Sequence, residues 1–79
     1  MPRFFTHVLN GTDYARDVEG QQFVDLEAAC ESVRQSARRV VSFEIDAGRD
    51  PVNLEFRIHD EAGTQLVTLP VTATVLGLD

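Results

Sequence analysis

The two histidines and the single cysteine are the residues of this chain best suited to chemistry. His7, His59 and Cys30 supply all of its imidazole and thiol groups. A thiolate within hydrogen-bond reach of an imidazole is a nucleophile, so a Cys30–His7 pair is the one enzymatic arrangement these residues suggest. It requires a helix that carries Cys30 to cover the sheet near His7. Nothing in the sequence marks an oxyanion hole, so we assign no catalytic residue.

A metal or cofactor site is not expected from these residues. Zinc sites draw on His and Cys at short, set spacings, whereas His7 and His59 are far apart in the sequence. Strand alternation predicts that His7 faces inward and His59 faces outward, on opposite sides of a sheet. With one cysteine, the chain has no internal disulfide and no cysteine-based metal site.

Two groups of charged residues could bind a partner. Arg34 and Arg38 are one helical turn apart and share a face, with Arg39 rotated away by about 100°. They could hold an acidic partner or a phosphate, or form a solvated helix face. Asp17 and Glu19 resemble a pair of acids, but their spacing on a strand or turn is equally typical of solvated carboxylates.

The N-terminal third of the chain predicts strands joined by turns. Residues 3–9 are aromatic and β-branched, which favours a strand. A turn is predicted at residues 10–11, a short strand at 14–18, and a second turn followed by a brief strand at 21–24. The alternation places Phe5, His7 and Leu9 on one face of the first strand and Phe4, Thr6 and Val8 on the other.

A long helix over residues 26–47 follows. Asp25 is a suitable N-cap and Gly48 a suitable residue just past the C-terminus. Residues 40–45 also alternate as a strand would, so a strand there is the alternative. A full-length helix would overhang the sheet and leave Glu44 in solvent. The predicted apolar stripe consists of Leu26, Ala29, Cys30, Val33, Ala37, Val40 and Val41.

Two further strands complete a β-β-α-β-β order. Residues 54–59 alternate strictly, and a turn at 60–63 leads into a strand over 64–71. Pro70 belongs at an edge or faces outward, because it has no N–H to give to a ladder. The sequence thus predicts one α+β domain over residues 1–79, an antiparallel sheet with a helix on one face. Residues 72–79 form an added strand or a tail.

The face of the sheet away from the helix is predicted to be a partner surface. It would carry Phe4, Thr6, Val8 and Leu66, an apolar strip of the kind that often marks an interface. We expect a homodimer through this face or through an edge strand. The alternative is that the tail around Val75 covers the strip within the same chain.

The charge balance excludes several classes of function. The chain has thirteen acidic residues and seven basic ones, all of them arginine, which gives a net charge of −6. Nucleic-acid binding draws on a basic face, so no nucleic acid is expected. Repulsion disfavours an anionic membrane surface. No apolar stretch approaches the ~18 residues of a membrane span, and no signal peptide opens the chain, which predicts a cytoplasmic protein.

A series of short motifs resembles a family of small uncharacterised proteobacterial proteins, catalogued as a domain of unknown function. The resemblance covers nearly the whole chain, and implies a short bacterial protein with no assigned activity. The family leads us to expect an alanine-rich helical run at residues 40–45, but this chain has Val-Val-Ser-Phe-Glu-Ile there. The motifs are Met1-Pro2-Arg3-Phe4-Phe5-Thr6-His7, Asp17-Val18-Glu19-Gly20, Asp25-Leu26-Glu27-Ala28-Ala29, Gly48-Arg49-Asp50, His59-Asp60-Glu61-Ala62-Gly63 and Thr68-Leu69-Pro70-Val71.

The helix start at residues 25–29 also resembles the antitoxin domains of bacterial toxin–antitoxin pairs, which share an acidic balance. This likeness is an analogy at the level of the fold. The function predicted first is a non-catalytic protein-interaction module that self-associates. An antitoxin-like inhibitor of a basic protein is the alternative, and a small enzyme using Cys30 and His7 is the weaker one.

Overall fold

Five strands and one helix make up the chain in the computed structural model, which describes residues 1–49 and 51–74. The strands before the helix are β1 (Arg3–Asn10), β2 (Asp13–Ala15) and β3 (Gln21–Gln22). The helix α1 spans Leu26–Asp46, and β4 (Val52–His59) and β5 (Gln65–Ala73) follow it. This confirms the predicted α+β class and its element order.

All strand pairs are antiparallel, and the sheet has the order β2-β1-β4-β5, with β3 also paired to β1. Phe5 lies opposite His59, and Thr6 opposite Ile58. On the other side of β1, Val8 pairs with Ala15 in β2 and Phe4 pairs with Gln21 in β3. The β3 register is displaced by two residues from that of β2, so residues 16–20 bulge out of the hairpin.

The helix begins and ends where its capping residues predict. The Asp25 carboxylate accepts the N–H of Ala28 at 2.8 Å, which satisfies one of the free donors of the first turn. Gly48, at φ +87°, donates its N–H to the carbonyl of Ile45 beyond the last turn. The run at 40–45 is helical, and Phe43 is consequently 68% exposed.

The core lies between α1 and one face of β1, β4 and β5. A set of small and β-branched helix residues packs against the alternating apolar residues of β4, and Leu26 and Val40 contact this core from its margin. The helix residues buried there are Ala29, Cys30, Val33, Ala37 and Val41.

The first strand has its faces reversed relative to the prediction. Directly opposite residues of an antiparallel pair share a face, and Thr6 and Val8 lie opposite the core residues Ile58 and Phe56. Phe4 is only 6% exposed and Val8 packs against the core. The uncovered strip predicted on Phe4, Thr6 and Val8 is therefore wrong. Both faces of β1 are apolar, so the register with β4 decides which one faces the helix.

Glu44 is buried rather than solvated, which corrects a second expectation. Its carboxylate accepts a hydrogen bond from the Asn10 side chain at 3.0 Å and pairs with the Arg49 guanidinium at 2.5 Å. A buried carboxylate needs such partners, because leaving its oxygens unpaired would be costly. The helix end is thereby tied to the end of β1.

The end of the chain is described in part. Thr72 and Ala73 extend β5, and Pro70 lies on this terminal strand of the sheet, as predicted for an edge. The proposed covering tail at residues 75–79 lies outside the described residues. Among the residues that the structure describes, no helix is long and apolar enough to cross a membrane.

Two phenylalanines provide a matched test of this packing. We expect Phe4→Ala to lower the free energy of unfolding by about 3–5 kcal/mol, the usual cost of emptying an aromatic core site. Phe43→Ala is the same chemical change on the exposed helix face, and we expect it to stay within about 0.5 kcal/mol of the wild type. Urea unfolding followed by circular dichroism measures both. Equal losses in the two variants would contradict the assignment of faces.

Candidate functional site

The bulge between β2 and β3 leaves the backbone N–H of Thr6 in β1 without a strand partner. Val8 and Phe4 are paired on this side of β1, and Thr6 lies midway between them. Residues 16–20 pass this point out of register, so no backbone carbonyl takes the place opposite Thr6. An unpaired backbone N–H in a partly buried position is costly.

The Asp17 side chain fills that gap. One of its carboxylate oxygens, Oδ2, accepts the Thr6 N–H at 3.1 Å. The other, Oδ1, accepts the N–H groups of Glu19 at 3.2 Å and Gly20 at 2.9 Å. Burial alone raises the pKa of Asp17, but these three donors and the neighbouring His7 outweigh it. The pKa of Asp17 therefore lies below its ordinary value.

Gly20 allows the chain to return to β1 after the bulge. Its φ is +71°, in the left-handed region that favours glycine. A Cβ at this position would lie 2.8 Å from the Phe5 ring and 3.0 Å from the Phe4 carbonyl oxygen. Any side chain would consequently push β3 away from β1.

His7 is held against the same bulge from the open face of the sheet. Its Nδ1 accepts the Asp17 N–H at 2.9 Å, so a neutral ring carries its proton on Nε2. The side chain is only 6% exposed, since the bulge and the Tyr14 ring cover it. Burial chiefly, then His59 and Arg16, lowers the pKa of His7 against the opposing effect of Asp17.

The two histidines lie side by side, which corrects the prediction that the sheet separates them. Their ring centroids are 4.6 Å apart with the rings nearly perpendicular. Phe5 is opposite His59 in the register, so His7, two residues further along β1, faces the same side. The Nε2 atom of His59 is buried without a hydrogen-bond partner among the described residues.

A cleft of about 460 Å³ lies in front of this pair. Its acids are already engaged: Asp60 accepts the N–H groups of Ala62 and Thr64, and Glu61 accepts that of Arg3. No group of three or more metal-ligating side chains converges in the described part of the chain. Cys30 lies on α1 and is buried in the core, on the helix side of the sheet, whereas His7 lies on the opposite face. The structure therefore does not bring the predicted Cys30–His7 pair together.

The remaining candidates are spread over separate surfaces. Arg34 is exposed and pairs at 3.5 Å with Glu31, one turn away, as predicted, and Arg38 is exposed on the same helix. Such pairs contribute little to stability. Leu66 is 39% exposed on β5, whereas Phe4 is buried in the core, so these two predicted interface residues do not form one exposed surface.

The far edge of the sheet is formed by β5, which pairs with β4 and with no other described strand. The Thr6 N–H points to Asp17, away from β4, so Ile58, the residue opposite it in β4, directs its own N–H toward β5. The N–H groups of successive strand residues point to alternate sides. In β5, those of Leu69 and Val71 therefore point toward β4. The backbone nitrogen of Pro70, between these two residues, points to the free edge, so its missing N–H removes no hydrogen bond from the β4–β5 ladder. The N–H groups of Thr68 and Thr72 face the same free edge.

The open face of the sheet is polar on β4 and β5, whereas β1 places the half-buried Phe5 and Leu9 there. Glu55 and Arg57 form an ion pair across it, and threonines of β5 lie beside them. The residues predicted for a partner surface on this face, Phe4, Thr6 and Val8, lie on the opposite, helix-covered face. The sequence indicated Asp17 only as an acid near Glu19, and its role at Thr6 could not be predicted because that role comes from the register shift of the hairpin. The Asp17–Gly20 motif was the only available signal.

A family model described as "Domain of unknown function (DUF6894)" matches residues 3–72. No curated protein and no solved structure matches the chain. The match confirms the predicted likeness to a family of unknown function. A proteobacterial origin and the likeness to antitoxins stay predictions.

Replacing the Asp17 carboxylate tests its role in closing the edge. Asp17→Asn leaves one acceptor oxygen for three donors, and we expect it to cost about 1–3 kcal/mol of unfolding free energy at neutral pH. Asp13→Asn is the matched control, because Asp13 is exposed and lies in the short strand β2, outside the bulge that Asp17 organises. A loss of equal size in both variants would contradict the proposed role.

The same variant gives a pH test. The fold lowers the pKa of Asp17, so its stabilising effect is complete above the ordinary value of 3.8 and is lost as the pH falls through the lower folded value. We therefore expect the stability gap between wild type and Asp17→Asn to narrow on acidification, measured by urea unfolding between about pH 5 and pH 2. A gap that stays constant would show that the carboxylate charge is not involved.

Proposed function

We propose, from the premise that the chain belongs to the DUF6894 family of domains of unknown function, that it is a non-catalytic interaction module that self-associates through the free edge of β5. The family description supplies no activity, so the proposal rests on this chain's own geometry. The observation that carries it is a nine-residue edge strand without a single charged residue.

Edge strands of this kind are uncommon in proteins that stay monomeric. Native sheets block their edges with charged side chains, bulges, prolines or very short strands, because the unpaired backbone groups otherwise recruit another strand. The edge at β5 carries two of these devices, Pro70 and a bulge at Leu66, where the register with β4 shifts by one residue. Gln65–Ala73 contains no charged side chain, and from Val67 to Ala73 the strand is regular. The opposite edge of the sheet consists of strands of only three and two residues, with the Asp17 side chain between them.

The backbone groups on this edge suit an antiparallel partner. Thr68 and Thr72 present N–H groups there, and Thr68, Pro70 and Thr72 present carbonyl groups. Strand addition uses such groups for affinity and the alternate side chains for specificity. Pro70 removes one donor, which limits the ladder and favours a weak, concentration-dependent contact over a permanent one.

The strand β5 is the part of the surface where charge opposes a second copy of the chain least. A net charge of −6 makes two copies repel over most of their surface. Residues 62–78 contain no charged side chain, so β5 is where two copies meet with the least repulsion. An antiparallel strand pair is also self-complementary about a two-fold axis, as a homodimer requires.

The antitoxin-like alternative has less support. It depends on the helix start at residues 25–29, and Asp25 there serves as the N-cap of α1. A capping carboxylate is a general feature of helices and indicates no partner.

Lysines placed on β5 test the proposed interface. In a register centred on Leu69, the midpoint of β5, residues 66 and 72 of the two copies lie opposite each other. We expect the double variant Leu66→Lys/Thr72→Lys to weaken self-association at least tenfold, or about 1.4 kcal/mol, through like-charge contacts. Sedimentation equilibrium over a range of concentrations measures the dissociation constant.

The matched control is Thr12→Lys/Val24→Lys. It makes the same change in net charge at two exposed positions, in the β1–β2 turn and before α1. We expect this control to associate as tightly as the wild type, or slightly more tightly because the net charge is smaller. A wild type that is monomeric at millimolar concentration, or a β5 variant that associates like the control, would overturn the proposal.

A further inference from the structure

His7 occupies a position where gaining a proton must break a structural hydrogen bond. Its Nδ1 accepts the backbone N–H of Asp17 at 2.9 Å. An imidazolium carries a proton on both ring nitrogens and has no acceptor left. A protonated His7 would thus turn an N–H toward the N–H of Asp17, and the contact would become repulsive.

The surroundings of His7 add to that repulsion. The His59 ring lies 4.6 Å away, centroid to centroid, and Arg16 of the bulge lines the same cleft. Arg57 is directly opposite His7 in the register, but the Glu55 carboxylate pairs with its guanidinium. The Asp17 carboxylate would favour a cation, but its oxygens already accept three backbone N–H groups. The titratable and charged groups that face His7 or line its cleft are His59 and Arg57 of β4, Tyr14 of β2, Arg16 and Asp17 of the bulge, and Asp60 and Glu61 of the β4–β5 turn.

Breaking this contact would have consequences beyond one hydrogen bond. Asp17 closes the edge of β1 at Thr6 and organises the backbone at Glu19 and Gly20. Releasing its backbone would move the carboxylate away from these donors. The Thr6 N–H would then be exposed, and the cleft beside the histidines would open.

We propose that the His7–Asp17 contact is an acid-sensitive latch, in which protonation of His7 frees residues 16–20 and uncovers the edge of β1 at Thr6. The latch lies on the edge of the sheet opposite β5 and does not depend on self-association.

The direction of the pH effect follows from the burial of His7. In the closed form, the pKa of His7 lies below its ordinary value of 6.5. In the opened form, the His7 pKa returns to that ordinary value. The closed form is therefore fully favoured above pH 6.5 and loses stability as the pH falls from there through the lower folded pKa. Over that window the ratio of open to closed form rises about tenfold per pH unit, as expected for one linked proton.

Amide hydrogen exchange of the intact chain, measured by NMR between pH 7.5 and pH 5 as protection factors, tests the latch. We expect the amides of Asp17, Thr6, Glu19 and Gly20 to lose protection together, by about tenfold per pH unit in the linked window. The core amide of Ile58 should keep its protection. Loss of protection at all sites together would mean global unfolding and would overturn the proposal, as would constant protection at Asp17.

Two further measurements separate the latch from a general acid effect. In His7→Asn the amide oxygen can take the place of Nδ1 as acceptor and does not titrate, so we expect no pH-dependent loss at Asp17. The same loss in this variant would overturn the proposal. Nitrogen-15 shifts of the wild-type His7 ring give an independent check: Nδ1 must be unprotonated at pH 7.5, and its protonation must coincide with the loss at Asp17. A protonated Nδ1 at pH 7.5 would refute the latch without any variant.

Discussion

The backbone groups along the two edges of the sheet set the main constraint on this small domain. A sheet of four strands in line has two edges, and each edge carries N–H and C=O groups that need partners. One edge consists of the two short strands of the bulged hairpin, and between them the Asp17 carboxylate accepts the Thr6 N–H. The other edge is the long, uncharged β5. The proposed self-association follows from this asymmetry, because a long uncharged edge can add another strand, whereas two very short strands offer a much shorter ladder.

Local patterns predicted the elements of the fold well. Asp25 and Gly48 mark the helix ends, and the alternation of β4 identifies its buried face without reference to any other strand. These features are local because each depends on residues within a few positions of one another. The run at 40–45 fits either a helix or a strand, and the structure makes it helical by burying Val41 and Glu44 on the core side. Asn10 and Arg49 make the burial of Glu44 possible, and only the tertiary structure brings them to it.

The candidate site could not be predicted in the same way because it depends on register. Phe4 and Phe5 are chemically equivalent, so the sequence of β1 does not say which one faces the helix. Pairing with β4 decides this, and the same pairing brings His7 beside His59. The importance of Asp17 arises from a two-residue shift between the β2 and β3 registers. A non-local property of this kind leaves only a faint trace in the sequence, here the glycine that must follow at position 20.

The most direct test of the account is the concentration dependence of amide exchange along β5 of the wild-type chain. The N–H groups of Thr68 and Thr72 face the free edge, whereas that of Leu69 faces β4. If copies of the chain associate through this edge, exchange at Thr68 and Thr72 slows as the protein concentration rises, and exchange at Leu69 changes far less. Exchange at Thr68 and Thr72 that is equally fast in dilute and concentrated protein would contradict the account.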